Sequence, residues 1–250
     1  MQLMNAVREV ITDVRTIAAG QGSGLKISAR RADPNFARGT YEPALQDAIA
    51  ANLAPGDVFY DIGANIGFFS LIAARRVGSS GHVYAFEPVP ANVTAISRSV
   101  QLNGFSHVDV FGEAVGATSR TGELLLAHHI GGATIDSVDA PPDLRGRIAI
   151  EIVAMDDIMG PRQLRPPQLV KVDVEGAELA VLTGMRNALC GHRPKVVYEV
   201  DDATREGMER KAAEIAAFLT GLNYAVADLP AAYPNADWHV SHYLAQPPQS

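Results

Sequence analysis

Apolar residues recur with two different periods along this 250-residue chain. Over 2–19, Leu3, Val7, Val10, Ile11, Val14 and Ile17 fall at helical spacing, which predicts an amphipathic helix ended near Gly20. Its plain role is packing on the domain; its sharper role would be a contact between two copies of the chain. Gln21 to Gly24 reads as a flexible joint, and a second amphipathic helix is predicted over 42–53, stopped by Pro55 and Gly56. From there strand-like and helical runs alternate. Strands are predicted at 57–61, 82–87, 107–112, 168–173, 195–200, 223–228 and 239–245, and helices at 66–77, 90–103, 176–189 and 207–221. Such alternation predicts an α/β fold with a mostly parallel sheet and helices on both faces. The last two strands are joined through Pro230 to Asp237 without a helix, so they predict a hairpin and one antiparallel strand. Residues 120–155 interrupt the rhythm: 123–127 and 148–153 read as the two strands of an inserted hairpin, with a loop rich in Gly, Asp and Pro between them. The expected organisation is a helical extension over 1–38, a domain over 39–245 and a disordered tail over 246–250.

Candidate chemistry sits at the first of these strand-to-helix junctions. Val58 to Ile62 is a buried-strand pattern followed by Gly63, Asn65 and Gly67, and Val83 to Phe86 is a second strand ending in Glu87 and Pro88. Glycines at such a turn let backbone approach a ligand where a Cβ would block it. A carboxylate about 20 residues past the turn can take both hydroxyls of a ribose. The turn departs from the dinucleotide pattern G-x-G-x-x-G, because Asp61 precedes its first glycine and Asn65 stands where a glycine is expected. A carboxylate there would repel a pyrophosphate and suit a cofactor with a cationic amino group and no phosphate, as S-adenosylmethionine has. No G-x-x-x-x-G-K-[ST] element is present, which counts against a P-loop nucleotidase.

Composition narrows the partners. Hydrophobic residues make up 47% and charged residues 20%, ordinary values for a globular protein. The net charge of −7 offers no electrostatic footprint for nucleic acid. No apolar run is long enough to insert in a membrane, the first residues are broken by charges, and a single cysteine, Cys190, fits a reducing compartment, so a cytoplasmic location is expected.

Taken together, the motifs resemble those of the FkbM-type methyltransferases. The resemblance runs from about Gly39 to Glu199 and includes Gly39 to Glu42, Asp61 to Gly67, Ala85 to Pro88, Ala114 with Val115, Asp156 with Asp157, Lys171 to Glu178, and Pro194 to Glu199. Met155 replaces the Leu common before the paired acids, and Glu113 stands where Asn is frequent. The resemblance implies a Rossmann-like methyltransferase fold with a seven-stranded sheet. It also implies methyl transfer, usually to a hydroxyl of a sugar, glycolipid or natural product, with S-adenosylhomocysteine as product.

In that setting Gly63, Asn65 and Gly67 shape the cofactor loop, with Asp61 reaching the amino-acid part directly or through water. Glu87, backed by Pro88, holds the ribose, and Glu113 and Ala114 stand beside the adenine. Glu42 closes over the methionine portion, an assignment that comes from the resemblance. Asp173 ends the fourth strand where an acceptor would meet the methyl group and is the first candidate base, a role needed because a hydroxyl ionises far above neutral pH. Lys171 shares its face, Glu199 is a second candidate base, and His129 a third if the inserted loop covers the site. Glu175 reads equally as a helix cap or a site residue, Glu178 as solvent-facing, and His239 and His242 as structural. No metal-ligand pattern is assigned. Asp173 and Glu199 holding a divalent ion, as catechol-type enzymes do, is the open alternative. Two other functions compete: a nicotinamide-dependent oxidoreductase, and a degenerate methyltransferase domain that only binds or assembles.

Overall fold

A computed structural model of the protein describes residues 14–29, 32–127, 133–136, 144–231 and 239–248. Two strands, β1 (Val14–Thr16) and β2 (Lys26–Ser28), open the described chain as an antiparallel ribbon. Helices α1 (Pro34–Arg38) and α2 (Pro43–Ala51) lead to β3 (Val58–Ile62), α3 (Phe68–Val77), β4 (His82–Phe86), α4 (Pro90–Leu102) and β5 (Val108–Phe111). Next come β6 (Ala114–Val115), β7 (Arg120–Ala127), β8 (Ala133–Ile135), β9 (Leu144–Val153) and the short α5 (Met155–Ile158). The second half runs β10 (Leu169–Val172), α6 (Glu178–Gly184), α7 (Arg186–His192), β11 (Lys195–Asp202), α8 (Arg205–Gly221), β12 (Ala225–Asp228) and β13 (His239–Gln246).

The main sheet has seven strands in the order β12-β13-β11-β10-β3-β4-β5, with β13 antiparallel to both its neighbours and the other pairs parallel. This is the α/β architecture the alternating pattern predicts. The chain winds outward from β3 through β4 and β5, then returns to β10 on the other side of β3. The carboxyl ends of β3 and β10 therefore form the switch point where ligands bind in open sheets. Both faces are covered, so β3 is buried at all five positions: Val58, Tyr60 and Ile62 face the layer holding Val181, Leu189 and Ile215, while Phe59 faces Ile49, Leu71 and Ile96. That double burial is why the central strands read as unbroken apolar runs.

Five expectations need correction. Residues 1–13 of the proposed N-terminal helix lie outside the described residues, and its end is β1, where Val14 pairs with Ser28. The joint at 21–24 is the ordered turn of this ribbon: Gln21 N–H donates to Gln46 Oε1 (2.9 Å), Gln21 Nε2 to Asp47 (2.8 Å), and Arg75 to the Ser23 carbonyl (2.7 Å). The insertion is more than a hairpin, a four-stranded sheet ordered β6-β9-β7-β8 with its own core of Leu124, Ile135, Ile150 and Ile152. The helix expected over 176–189 is broken at Met185 into α6 and α7, and Gly184 lies so close to the Gly116 carbonyl that a Cβ would collide with it. Gln246, placed in the tail, pairs with Ala225; residues 249–250 are outside the described residues.

Gly39 locks the N-terminal ribbon to the domain. It follows α1 with φ 75°, and a Cβ there would strike the Ala19 backbone. Gly39→Ala is expected to destabilise the protein by about 2 kcal/mol or more, the size of a strained left-handed residue with a clash added. An unchanged urea midpoint would show that the ribbon is not packed on the fold.

Candidate active site

The site is built where β3 and β10 end side by side. After Ile62 the chain turns through Gly63 at φ 77°, whose N–H donates to the Phe86 carbonyl at 3.0 Å. A Cβ on Gly63 would sit on the Asp173 carbonyl oxygen, so no larger residue fits between the two strand ends. Asn65 (φ 50°) and Gly67 (φ 84°) complete the turn in left-handed conformations, and Gly67 starts α3 against Ile96.

Beneath the turn lies Lys171, 2% exposed, whose Nζ is 3.0 Å from Asp173 Oδ2, 3.1 Å from the Gly63 carbonyl and 3.5 Å from Asp61 Oδ1. Burial opposes its charge, but Asp173 and Asp61 outweigh that and hold the ammonium above its ordinary pKa. Asp61 is itself wholly buried and accepts from Ser70 Oγ. Burial pushes its carboxyl up, and Lys171 and Ser70 oppose the shift. Asp61, expected to reach a ligand, is thus turned away from the cleft to hold Lys171. Lys171, expected among the catalytic groups, is buried beneath the turn and is not among the residues that line the cleft.

Glu87 ends β4 and is 5% exposed. Its Oε2 accepts from Asn65 N–H (2.9 Å), and its Oε1 from Val89 N–H (2.9 Å) and Asn92 Nδ2 (3.2 Å). These donors fix the rotamer, yet burial dominates and pushes the carboxyl up to about 7. Asp173, Glu175 and Glu199 stand opposite in the same cleft, a cavity of about 230 Å³ that Gly63, Asn65, Pro88 and Ala114 also line. Burial raises Glu175 to about 9, helped by Asp173 and Asp201, and raises Glu199 to about 8.

Other residues fall differently from expectation. Glu113 lines the cleft, but Arg162 grips it with two hydrogen bonds of 2.6 and 2.7 Å. Glu42 is buried, holds a left-handed backbone (φ 44°) and lies 3.4 Å from His242 Nε2; it is not among the residues that line the cleft. Glu175 does not start the helix; it sits in the preceding loop at φ 55°. Glu178, expected to face solvent, is 3% exposed and accepts from the N–H groups of Val174 and Gly176, closing that loop. His129 lies outside the described residues. Sequence reasoning missed Phe36 and Tyr41 from the α1 region, Leu124 and Ile135 from the inserted sheet, and Asp33, all of which line the cleft. The only signal for Leu124 and Ile135 was the interruption of the strand–helix rhythm.

The sheet order and the cleft at its switch point define an S-adenosylmethionine-dependent type of methyltransferase fold. Comparison with known proteins agrees. Residues 61–226 match the model of the methyltransferase FkbM domain. The chain is 32% identical over 201 residues to the 31-O-demethyl-FK506 methyltransferase FkbM of Streptomyces tacrolimicus, covering 70% of this chain and 75% of that protein. It is 31% identical over 134 residues to the hexuronic acid methyltransferase AglP of Haloferax volcanii, covering 53% and 52% of the two chains. The crystal structure of the methyltransferase FkbM from Methylobacillus flagellatus shares the fold with a TM-score of 0.52 at 18% identity. That match covers 80% of this chain but spans only 50% of that one. The chain belongs to the FkbM methyltransferase family.

Removing the Lys171 charge tests the buried network. Lys171→Met would leave Asp61 and Asp173 facing each other without a cation, and a loss of about 3 kcal/mol is expected on breaking such a pair. Adding Asp61→Asn should restore part of it. Equal denaturation midpoints for wild type and Lys171→Met would show that the ammonium does not hold the strand ends together.

Proposed function

We propose that the chain transfers the methyl group of S-adenosylmethionine to a hydroxyl of a sugar, glycolipid or natural product. The acidic, cation-free make-up of the cleft wall carries this reading. Asp33, Glu87, Glu113, Asp173, Glu175 and Glu199 line it, and among the described residues no Lys, Arg or His does. Such a wall offers a pyrophosphate no cation, and a ligand bearing ammonium and sulfonium charge favours the ionised form of its carboxyls. The residues therefore fit S-adenosylmethionine better than a dinucleotide. Bound there, the cofactor supplies a methyl group already activated on sulfur.

The chain's own groups do the rest. Glu87 accepts from the ribose hydroxyls, the Gly63 turn lets the backbone come close to the ligand, and Pro88, Glu113 and Ala114 border the adenine. Asp173, held in place by Lys171 at 3.0 Å, accepts the proton of the acceptor hydroxyl. Alignment of acceptor and donor supplies most of the remaining rate. The acceptor class draws support from the relatives' names, one citing a 31-O-demethyl natural product and the other a hexuronic acid. No helix among the described residues is long and apolar enough to cross a membrane.

Calorimetric titration with S-adenosylhomocysteine, with NAD as control, tests the cofactor class. Binding of the first alone is expected; binding of NAD alone would overturn the reading, and binding of neither would favour a degenerate domain. The ribose needs an ionised Glu87, whose carboxyl titrates at about 7. A raised carboxyl is protonated below that value, so affinity should rise about tenfold from pH 6 to pH 8. Glu87→Gln should bind weakly, with that pH dependence flattened.

Asp173→Asn separates chemistry from binding. Turnover on a matched acceptor should fall about 100-fold or more, the usual contribution of a general base, while S-adenosylhomocysteine affinity changes little. Full activity in this variant would remove Asp173 from the mechanism.

A further inference from the structure

Beside the base at Asp173 lies a second group of ionisable side chains that methyl transfer, as described above, does not use. Glu199 on β11 and His242 on β13 are direct partners in the antiparallel register, so both project from the same face. Glu42 joins them from the start of α2, where it holds a left-handed backbone (φ 44°, ψ 65°) immediately before Pro43. A non-glycine residue in that conformation costs on the order of 1 kcal/mol, and such strain gathers at functional sites. His242 is 2% exposed. Its Nε2 lies 2.7 Å from Glu199 Oε2 and 3.4 Å from Glu42 Oε2. Nε2 is buried, and neither contact meets hydrogen-bond geometry.

A proton on Nε2 can be well aligned with at most one of the two oxygens. A cation between the three groups satisfies all of them together. In octahedral coordination, ligand atoms about 2.1 Å from one ion stand at right angles and are roughly 3 Å apart. The two measured N···O separations bracket that value, and the three ligand atoms all lie within 4.8 Å of one another. The surroundings are rich in carboxylates, and the buried Lys171 is engaged by Asp61 and Asp173. Glu199 lines the cleft, so an ion held here would face it.

We propose that Glu42, Glu199 and His242 form a site for one divalent first-row transition-metal ion, of the Mn²⁺ or Zn²⁺ kind, with open coordination toward the cleft. One imidazole with two carboxylates selects such ions over Mg²⁺ and Ca²⁺, which take oxygen ligands. The ion's task, taking the acceptor's oxygen as a Lewis acid, rests on the methyl-transfer reading; the site itself rests on the geometry alone.

The test uses the full chain without an affinity tag, stripped by chelator and titrated calorimetrically with Mn²⁺ and with Zn²⁺. One ion per chain is expected, bound at least tenfold more weakly by His242→Gln and by Glu42→Gln. No stoichiometric binding by the wild type, or equal affinity in the variants, overturns the proposal. Should the variants fail to fold, Co²⁺ bound to the wild type decides. A paramagnetically shifted exchangeable imidazole proton from a coordinated histidine supports the site, and its absence overturns it. S-Adenosylhomocysteine is titrated into the same preparations. Its binding without any ion overturns the metal site and leaves methyl transfer standing; ion binding without it does the reverse.

Discussion

One buried ammonium organises the carboxyl end of the sheet. Lys171 and Asp61 are register partners on adjacent strands, and Lys171 also reaches Asp173 and the Gly63 carbonyl. Burying an amino group costs several kcal/mol unless oxygens replace its water, and here three do. To supply them, the ends of β3 and β10 must come so close that Gly63 meets the Asp173 backbone where a Cβ would be. The glycine turn is thus a consequence of the ion network as much as a cradle for a ligand. The same contacts fix which face each acid presents: Asp61 is spent beneath the turn, and Asp173 is pinned in the cleft wall with 22% of its side chain exposed.

How far the sequence reveals this depends on whether a feature is local. Strands buried on both faces, such as Val58 to Ile62, announce themselves as apolar runs, and the glycine turn and Glu87 lie within one strand–helix–strand unit. The central strands β3, β4, β10 and β11 were legible for that reason, and the outer strands by their place in the strand–helix alternation. The inserted sheet was half legible, because β6 and β8 have only two and three residues and carry no period of their own. The N-terminal end misled because Val14 and Ile17 fit a helical stripe as well as a ribbon; pairing with Lys26 to Ser28 decides, and it is a tertiary contact. Side-chain roles were least legible where they need distant partners. Asp61 required Ser70 and Lys171, Glu113 required Arg162, and His242 required Glu199 across the sheet and Glu42 from the far end of the chain.

These distant partners also divide the cleft by origin. The turns after β3 and β4 lie inside residues 61–226, the span that matches the family, and their geometry is tied to the sheet by Lys171 and by backbone bonds such as Gly63 N–H to Phe86. Phe36 and Tyr41 come from before that span, and so does Glu42; His242 comes from after it. Leu124 and Ile135 reach the cleft from the inserted sheet, outside the winding of the core. Replacing a core turn would disturb the ion network at Lys171, whereas changing Phe36, Tyr41, Leu124 or Ile135 alters shape and apolar surface without removing any of its groups. On the methyl-transfer reading, the part of the cleft that must suit one invariant cofactor is the part that the ion network holds rigid. The part that must suit an acceptor is built from segments that the network leaves free to differ.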